Sequence, residues 1–178
     1  MNNLADLLRQ HLDLPDKVLY RQWVDGAWRD FTPRDMAAQA ARWQQAFREH
    51  GFEKGDRIAL CLRNGTSWVA IDMAALGMGL VIVPLYINDN AENIAWCVTH
   101  SDARLLVLEN SRMLEILRKN IVGATLPPII CFEAANESNS GCEVAWVEDW
   151  LPKNSAGFEV VEMAPDDLAT IVYTSGTT

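Results

Sequence analysis

Several ingredients are scarce or missing, and each absence removes a class of function. The 178 residues hold three histidines, His11, His50 and His100, far apart, and four cysteines, Cys61, Cys97, Cys131 and Cys142, with no C-x-x-C pair. No H-x-x-x-H or mixed Cys/His cluster arises, so a zinc centre of ordinary spacing is excluded. Positive charge is short as well: 15 Lys and Arg against 24 Asp and Glu leave a formal charge of −9, with no concentrated basic stripe. Nucleic acid is therefore not an expected partner. Long apolar runs are also missing. The most apolar stretch, 69–87, is broken by Asp72, Gly77, Gly79 and Pro84, which excludes a transmembrane span. The first residues lack a basic segment followed by an apolar one, so they do not read as a signal peptide. Glycine-rich nucleotide fingerprints fail too. The turn 63–67 after the run RIALCL has one glycine rather than G-x-G-x-x-G, and no Walker-type loop occurs.

What remains is the composition of a folded chain, with 49% hydrophobic residues and both signs of charge present. Asp25-Gly26 between the runs 18–24 and 28–31 signals a hairpin. Thr32 as N-cap, Pro33 at the first helical position and Asp35 three residues after the cap predict a helix that Gly51 closes. Met36, Ala40, Trp43 and Phe47 share one face of it, and a sheet is the expected partner. Runs at 57–62, 80–85, 105–108 and 129–132 read as buried strands, with helices at 67–76, 91–100 (capped by Asn90) and 113–119 between them. Strand starts recur about every 23 to 25 residues, the length of a strand, a helix and two turns. A last strand is read at 168–173. The fold class is therefore α/β, a mainly parallel sheet with helices on both faces, in which the runs at 57–62, 80–85, 105–108 and 168–173 are central. Polar segments 133–141 and 152–157 read as loops. Cys61 and Cys131 fall in strand runs, and all four cysteines are expected as free thiols in a reducing, cytoplasmic setting.

The last strand runs directly into Thr174, Ser175, Gly176, Thr177 and Thr178. Small hydroxyl residues around a glycine suit phosphate, because glycine admits a close backbone approach and the hydroxyls add donors. Taken alone, T-S-G-T-T is equally an ordinary turn at a strand end. The longer stretch DDLATIVYTSGTT (166–178) closely resembles the opening of the phosphate-binding signature of the adenylate-forming superfamily, which includes acyl-CoA synthetases, luciferases and peptide-synthetase adenylation domains. WRDFTPRDM (28–36), the stretch 51–86 and NAENIAWCVTHSDARLLVLE (90–109) resemble earlier segments of that family in the same order. The nearest branch is the long-chain fatty acid–CoA ligases, although INDN (87–90) departs from the proline- and threonine-rich turn of that branch.

The resemblance implies that residues 1–178 are the amino-terminal portion of the large AMP-binding domain, without the remainder and the carboxy-terminal domain. It implies a ligase that uses ATP, Mg²⁺ and CoA on a carboxylic acid of the long-chain fatty class. Thr174, Ser175, Gly176, Thr177 and Thr178 would cradle the phosphates, and the Thr174 hydroxyl would help hold the metal. No upstream residue is expected as acid, base or nucleophile, and the 178 residues alone are expected to be inactive. Peripheral membrane contact and oligomeric state are left open. Two other readings stand beside this one: an adenylation domain for an amino or aryl acid, and a non-catalytic α/β binding module. Three features are read as structural. The histidines belong to exposed helix ends, Asp166-Asp167 to a solvated turn, and Trp43, Trp68 and Trp96 to core packing.

Overall fold

The structure is a computed structural model that describes residues 3–14, 16–120, 126–132 and 144–174. Two compact units, each discontinuous in sequence, make up the chain: 1–55 with 64–80 and 151–167, and 56–63 with 81–150 and 168–178.

In the first unit, helix α1 (Asp6–His11) precedes an antiparallel hairpin of β1 (Tyr20–Val24) and β2 (Ala27–Phe31). Asp25 and Gly26 both take positive φ, 51° and 80°, the two-residue turn whose twist matches the strands. Helix α2 (Pro33–Glu49) starts with the expected capping box. Thr32 accepts from the Asp35 N–H, and the Asp35 carboxylate accepts from the Thr32 N–H. Within this unit the apolar face of α2 packs chiefly on helix α3 (Thr66–Gly77), where the sequence had suggested a sheet. The reason lies in α3, which is apolar around its circumference and offers α2 a complementary surface.

The segment 151–167 has no regular element, and side chains hold it. Gln44, fully buried, donates to Glu159 O at 2.7 Å and to Ala74 O at 3.2 Å, and accepts from Glu159 N at 2.9 Å. Asn3 donates to Leu76 O and Val161 O, and Arg42 donates to Pro152 O. Gly77 makes room for this: a Cβ there would lie 2.7 Å from Glu159 O. Asp166 and Asp167 occupy a turn as read, yet Asp167 pairs with Lys54 at 2.7 Å and accepts from Ala164 N.

The second unit is a five-stranded parallel sheet flanked by helices. Its strands are β3 (Arg57–Cys61), β4 (Val81–Pro84), β5 (Leu105–Leu108), β6 (Ile129–Cys131) and β7 (Val144–Trp146), in the order β4-β3-β5-β6-β7. Helices α4 (Ala91–His100) and α5 (Ser111–Asn120) and a short α6 (Val147–Trp150) complete it. Ala59, Cys61, Val83, Leu106, Leu108 and Cys131 form one core with Ile94 and Val98 of α4 and Leu114 and Leu117 of α5. The alternate residues Ile58, Leu60, Ile82, Leu105, Val107 and Ile130 are as deeply buried, so these strands are covered on both faces, as continuous apolar runs require.

Two of the runs read as central are not: 80–85 forms β4 at the edge of the five-stranded sheet, and 168–173 lies outside it. Leu168–Tyr173 is not a central strand; it makes a single parallel bridge, Thr170 to Ile82, along the outer edge of β4, which is itself an edge strand. Ile82 N–H donates to Ala169 O at 3.0 Å and Ile82 O accepts from Ile171 N at 2.9 Å. The next outward-facing donor along β4 would belong to residue 84. That residue is proline, with no N–H, so the ladder stops.

Candidate functional site

The segment Leu168–Thr174 ends on Thr174, the first of the five residues expected to meet phosphate. Its bridge to Ile82 fixes the backbone at Thr170, whose Oγ1 also donates to Ile82 O at 2.9 Å. Four residues later, exposed Thr174 reaches the rim of a cavity of about 600 Å³ within the second unit. Ser175, Gly176, Thr177 and Thr178 lie outside the described residues, as do Cys142 and the loop read at 133–141.

The cavity wall comes from the exit of β4, the turn after it and helix α4. Pro84, Leu85, Tyr86, Ile94 and Trp96 supply apolar surface, and Asn88, Asp89 and Asn93 supply polar groups. Asn90 caps α4, accepting from Asn93 N at 2.8 Å, and Asp89 Oδ1 accepts from Asn90 N and from Asn93 Nδ2. Of the four residues INDN, which depart from the family pattern, Asn88 and Asp89 line a polar corner of the cavity, Asn90 caps α4 and Ile87 packs on the core. Amide and hydroxyl donors beside an apolar wall suit an anionic head with an apolar body.

Trp96 corrects a second expectation. Trp43 is buried and Trp68 half-buried, but Trp96 is 57% exposed and lines this cavity. Its ring stacks on His100, one turn along α4, at 4.5 Å with an 18° interplanar angle. Tyr173 stands edge-on to Trp96 at 5.6 Å, and its hydroxyl shares a hydrogen bond of 2.8 Å with His100 Nδ1. Burial pushes the Tyr173 phenol above its ordinary value, so its proton is retained at neutral pH. Sequence pattern put Trp96 with other apolar residues on α4, and only the arrival of Tyr173, 73 positions beyond His100, reveals its other neighbours.

Three cysteines are free and buried: Cys61, Cys97 and Cys131. Burial pushes the thiol of Cys61 up to about 12 and that of Cys131 to about 11, and it raises Cys97, which borders the cavity. Thiols held protonated are poor nucleophiles. All three histidines sit at exposed helix ends, and among the described residues no group of three His, Cys, Asp or Glu side chains could hold a metal. No described helix is long and apolar enough to cross a membrane.

The chain is similar to a long-chain-fatty-acid–CoA ligase of Mycobacterium bovis, 28% identical over 99% of this chain and 30% of that protein. It is similar also to a 3-hydroxybenzoate–CoA/4-hydroxybenzoate–CoA ligase of Thauera aromatica, 27% identical over 96% of this chain and 34% of the other. It therefore spans about a third of the length of these relatives. The fold superposes on an anthranilate–CoA ligase solved with anthranoyl-AMP at a TM-score of 0.77, 19% identical, over 99% of this chain and 33% of that one. Residues 8–178 match the AMP-binding enzyme family, and the chain belongs to that family.

Proposed function

We propose that these residues are the amino-terminal part of the large domain of a cytoplasmic, ATP-dependent acid–CoA ligase whose acid is a long-chain fatty acid. The observation that carries this reading is the position of Thr174, brought to the rim of a half-apolar cavity by a segment that the family match includes. Thr174, Ser175, Gly176, Thr177 and Thr178 hold the β- and γ-phosphates of ATP. The hydroxyls and the glycine fit that load, with the Asn88 amide on the same cavity, while the Asp89 carboxylate that also lines it, and to which Asn93 Nδ2 donates, suits a cation rather than phosphate. Mg²⁺, when bound beside the Thr174 hydroxyl, supplies charge neutralisation for the phosphate oxygens.

In the reaction, a carboxylate oxygen of the acid attacks the α-phosphorus and forms the acyl–phosphate bond as the bond to pyrophosphate breaks. The CoA thiol then attacks the acyl carbon, AMP leaves, and the thiol proton passes to solvent. The role of residues 174–178 is to hold the departing phosphates in line, an electrostatic task that needs no acid or base from this part of the chain.

A second reading has its own support. The hydroxybenzoate–CoA ligase is 27% identical, nearly the same as the fatty-acid ligase, so an aryl acid is the alternative substrate. Acid-dependent pyrophosphate release by the full-length protein, with a panel of long-chain fatty acids and hydroxybenzoates, decides between them. Fatty-acid dependence supports the first reading, hydroxybenzoate dependence the second, and release with neither class removes both. Residues 1–178 alone are expected to show no turnover, because losing one well-placed electrostatic group costs roughly 10²–10³ in rate and several lie elsewhere in such a ligase.

A further inference from the structure

Among the described residues, the segment that presents Thr174 is secured by backbone as far as Ile171. Its last backbone hydrogen bond among them is the one from Ile171 N to Ile82 O. Three residues on, Thr174 would need to be fixed to within a fraction of an ångström to present a hydroxyl to a phosphate. The side chain of Tyr173 supplies a hold. Its hydroxyl is hydrogen-bonded to His100 at 2.8 Å, and its ring meets Trp96 and His100 edge-on at 5.6 and 5.8 Å. Trp96 and His100 lie four apart on α4 and stack on each other, so neither ring is free to swing away without breaking a contact with the other. The base of the clamp is firm, since α4 is capped by Asn90 and seated in the core through Ile94 and Val98.

A plain surface role would account for a single exposed aromatic. It does not account for two stacked rings, Trp96 and His100, closing on the side chain that directly precedes Thr174. Resting on the ligase reading above, we propose that His100 and Trp96 are positioning residues: through Tyr173 they set the place of Thr174, and so the affinity for the nucleotide's phosphates.

The test uses the full-length protein, with pyrophosphate release measured against ATP and, separately, CoA concentration. Tyr173→Phe and His100→Phe keep the rings and delete the hydrogen bond. Each is expected to raise the KM for ATP about three- to tenfold, the equivalent of one hydrogen bond of ordinary net strength, with the KM for CoA unchanged. The double variant should be no worse than Tyr173→Phe alone, because the bond lost in His100→Phe is already gone there, together with the interaction of the Tyr173 hydroxyl with Ser101. His100→Asn, which keeps a polar atom near the Nδ1 position, should recover part of the loss. Trp96→Leu should raise the KM for ATP by a smaller factor of about two to three.

An active parent whose KM for ATP is unmoved in Tyr173→Phe and His100→Phe overturns the positioning role and leaves the ligase reading standing. So does a double variant in which the two effects multiply. A parent that releases no pyrophosphate with any acid overturns the ligase reading and this inference with it. Should His100→Phe fail to fold, shown by lost cooperative melting, Tyr173→Phe alone decides, since it deletes one exposed-side oxygen.

Discussion

The two units solve the same problem, securing a backbone, by different chemistry. In the second unit the strands β3 to β7 satisfy one another through parallel ladders, and apolar side chains fill both sides. In the first unit an irregular segment, 151–167, passes over α2 and α3 and has no ladder to join, so its carbonyl and N–H groups are met by the amides of Gln44 and Asn3. Burial records the contrast. Of the buried polar residues among those described, Asn3, Asp6, Gln44 and Thr66 belong to the first unit and only Ser101 to the second. A ladder tolerates loss of any one side chain, whereas a side-chain suture concentrates several backbone partners on one amide.

Replacing that amide should therefore have the largest effect. Gln44→Leu keeps the bulk but strips partners from Glu159 N and Glu159 O, while Ala74 O still accepts from Met78 N, and stability should fall by about 2–4 kcal/mol, because a group left unpaired costs about 1–3 kcal/mol. The control in the second unit is Thr170→Val. Ile82 O still accepts from Ile171 N after the Thr170 hydroxyl is gone, so the cost should stay below about 1.5 kcal/mol. Urea unfolding gives the magnitudes, and hydrogen exchange gives the place. Faster exchange in peptides spanning 155–165, with sheet peptides unchanged, is expected for Gln44→Leu. Equal loss of protection in β3 and β5 would show that the contrast between the units is false.

The same contrast explains what could be read in the sequence. The ladder unit announces itself: RIALCL, LVIVPL and LLVL are apolar without interruption, and Asn90 marks the start of α4 at the observed residue. The capping box at Thr32 and the hairpin at Asp25-Gly26 are equally local signals. Gln44 is not such a signal, since a glutamine in a helix otherwise reads as solvent-facing, and its partners lie 30 and 115 positions away. α1, β7 and α6 were missed because each is short and none carries a sustained period. The edge position of Leu168–Tyr173 had a trace in sequence, the proline at 84, but its weight appears only once Ile82 is known to face that segment. Of the candidate site, Thr174 was legible through the resemblance; the turn 87–90 and the ring cluster of Trp96, His100 and Tyr173 required the fold.

A smaller effect is expected at Asp72, where the first unit half-buries a carboxylate on its apolar helix α3. Desolvation pushes this carboxyl up from 3.8 to about 6. A folded-state value above the unfolded one means that the folded chain holds the proton more tightly, so the contribution of Asp72 to stability is greatest below about pH 4 and is lost as pH rises through 6. Asp72→Asn removes the ionisable group. It should stabilise the chain by about 1–3 kcal/mol at pH 7 and change little at pH 3.5. Melting temperatures of both proteins at the two pH values test this. A gain of equal size at both would show that the cause is not ionisation.

The smallest effect sharpens the comparison at the helix starts, where both units use the same device with different acceptors. In the first unit, Thr32 Oγ1 accepts from Asp35 N and donates to the Asp35 carboxylate, which also accepts from Thr32 N. In the second, the Asn90 amide oxygen accepts from Asn93 N. Thr32→Ala and Asn90→Ala should each cost about 1 kcal/mol at pH 7, the usual worth of an N-cap. Their responses to acid should differ. The bond from the Thr32 hydroxyl, helped by the Thr32 N–H, holds the Asp35 carboxyl below its ordinary value, so the stability it lends is present above the unfolded value and is lost as pH falls through the folded one. The cost of Thr32→Ala should accordingly shrink as pH is lowered from 5 toward 2, because the protonated Asp35 no longer supports the box even in the parent chain. The amide oxygen of Asn90 takes no proton in that range, and the cost of losing that side chain should hold steady. Unfolding free energies of the two variants and the parent at pH 7, 5 and 3 give the result. Parallel curves for the two variants would mean that the Asp35 carboxylate contributes nothing to α2 that the Thr32 side chain does not supply alone.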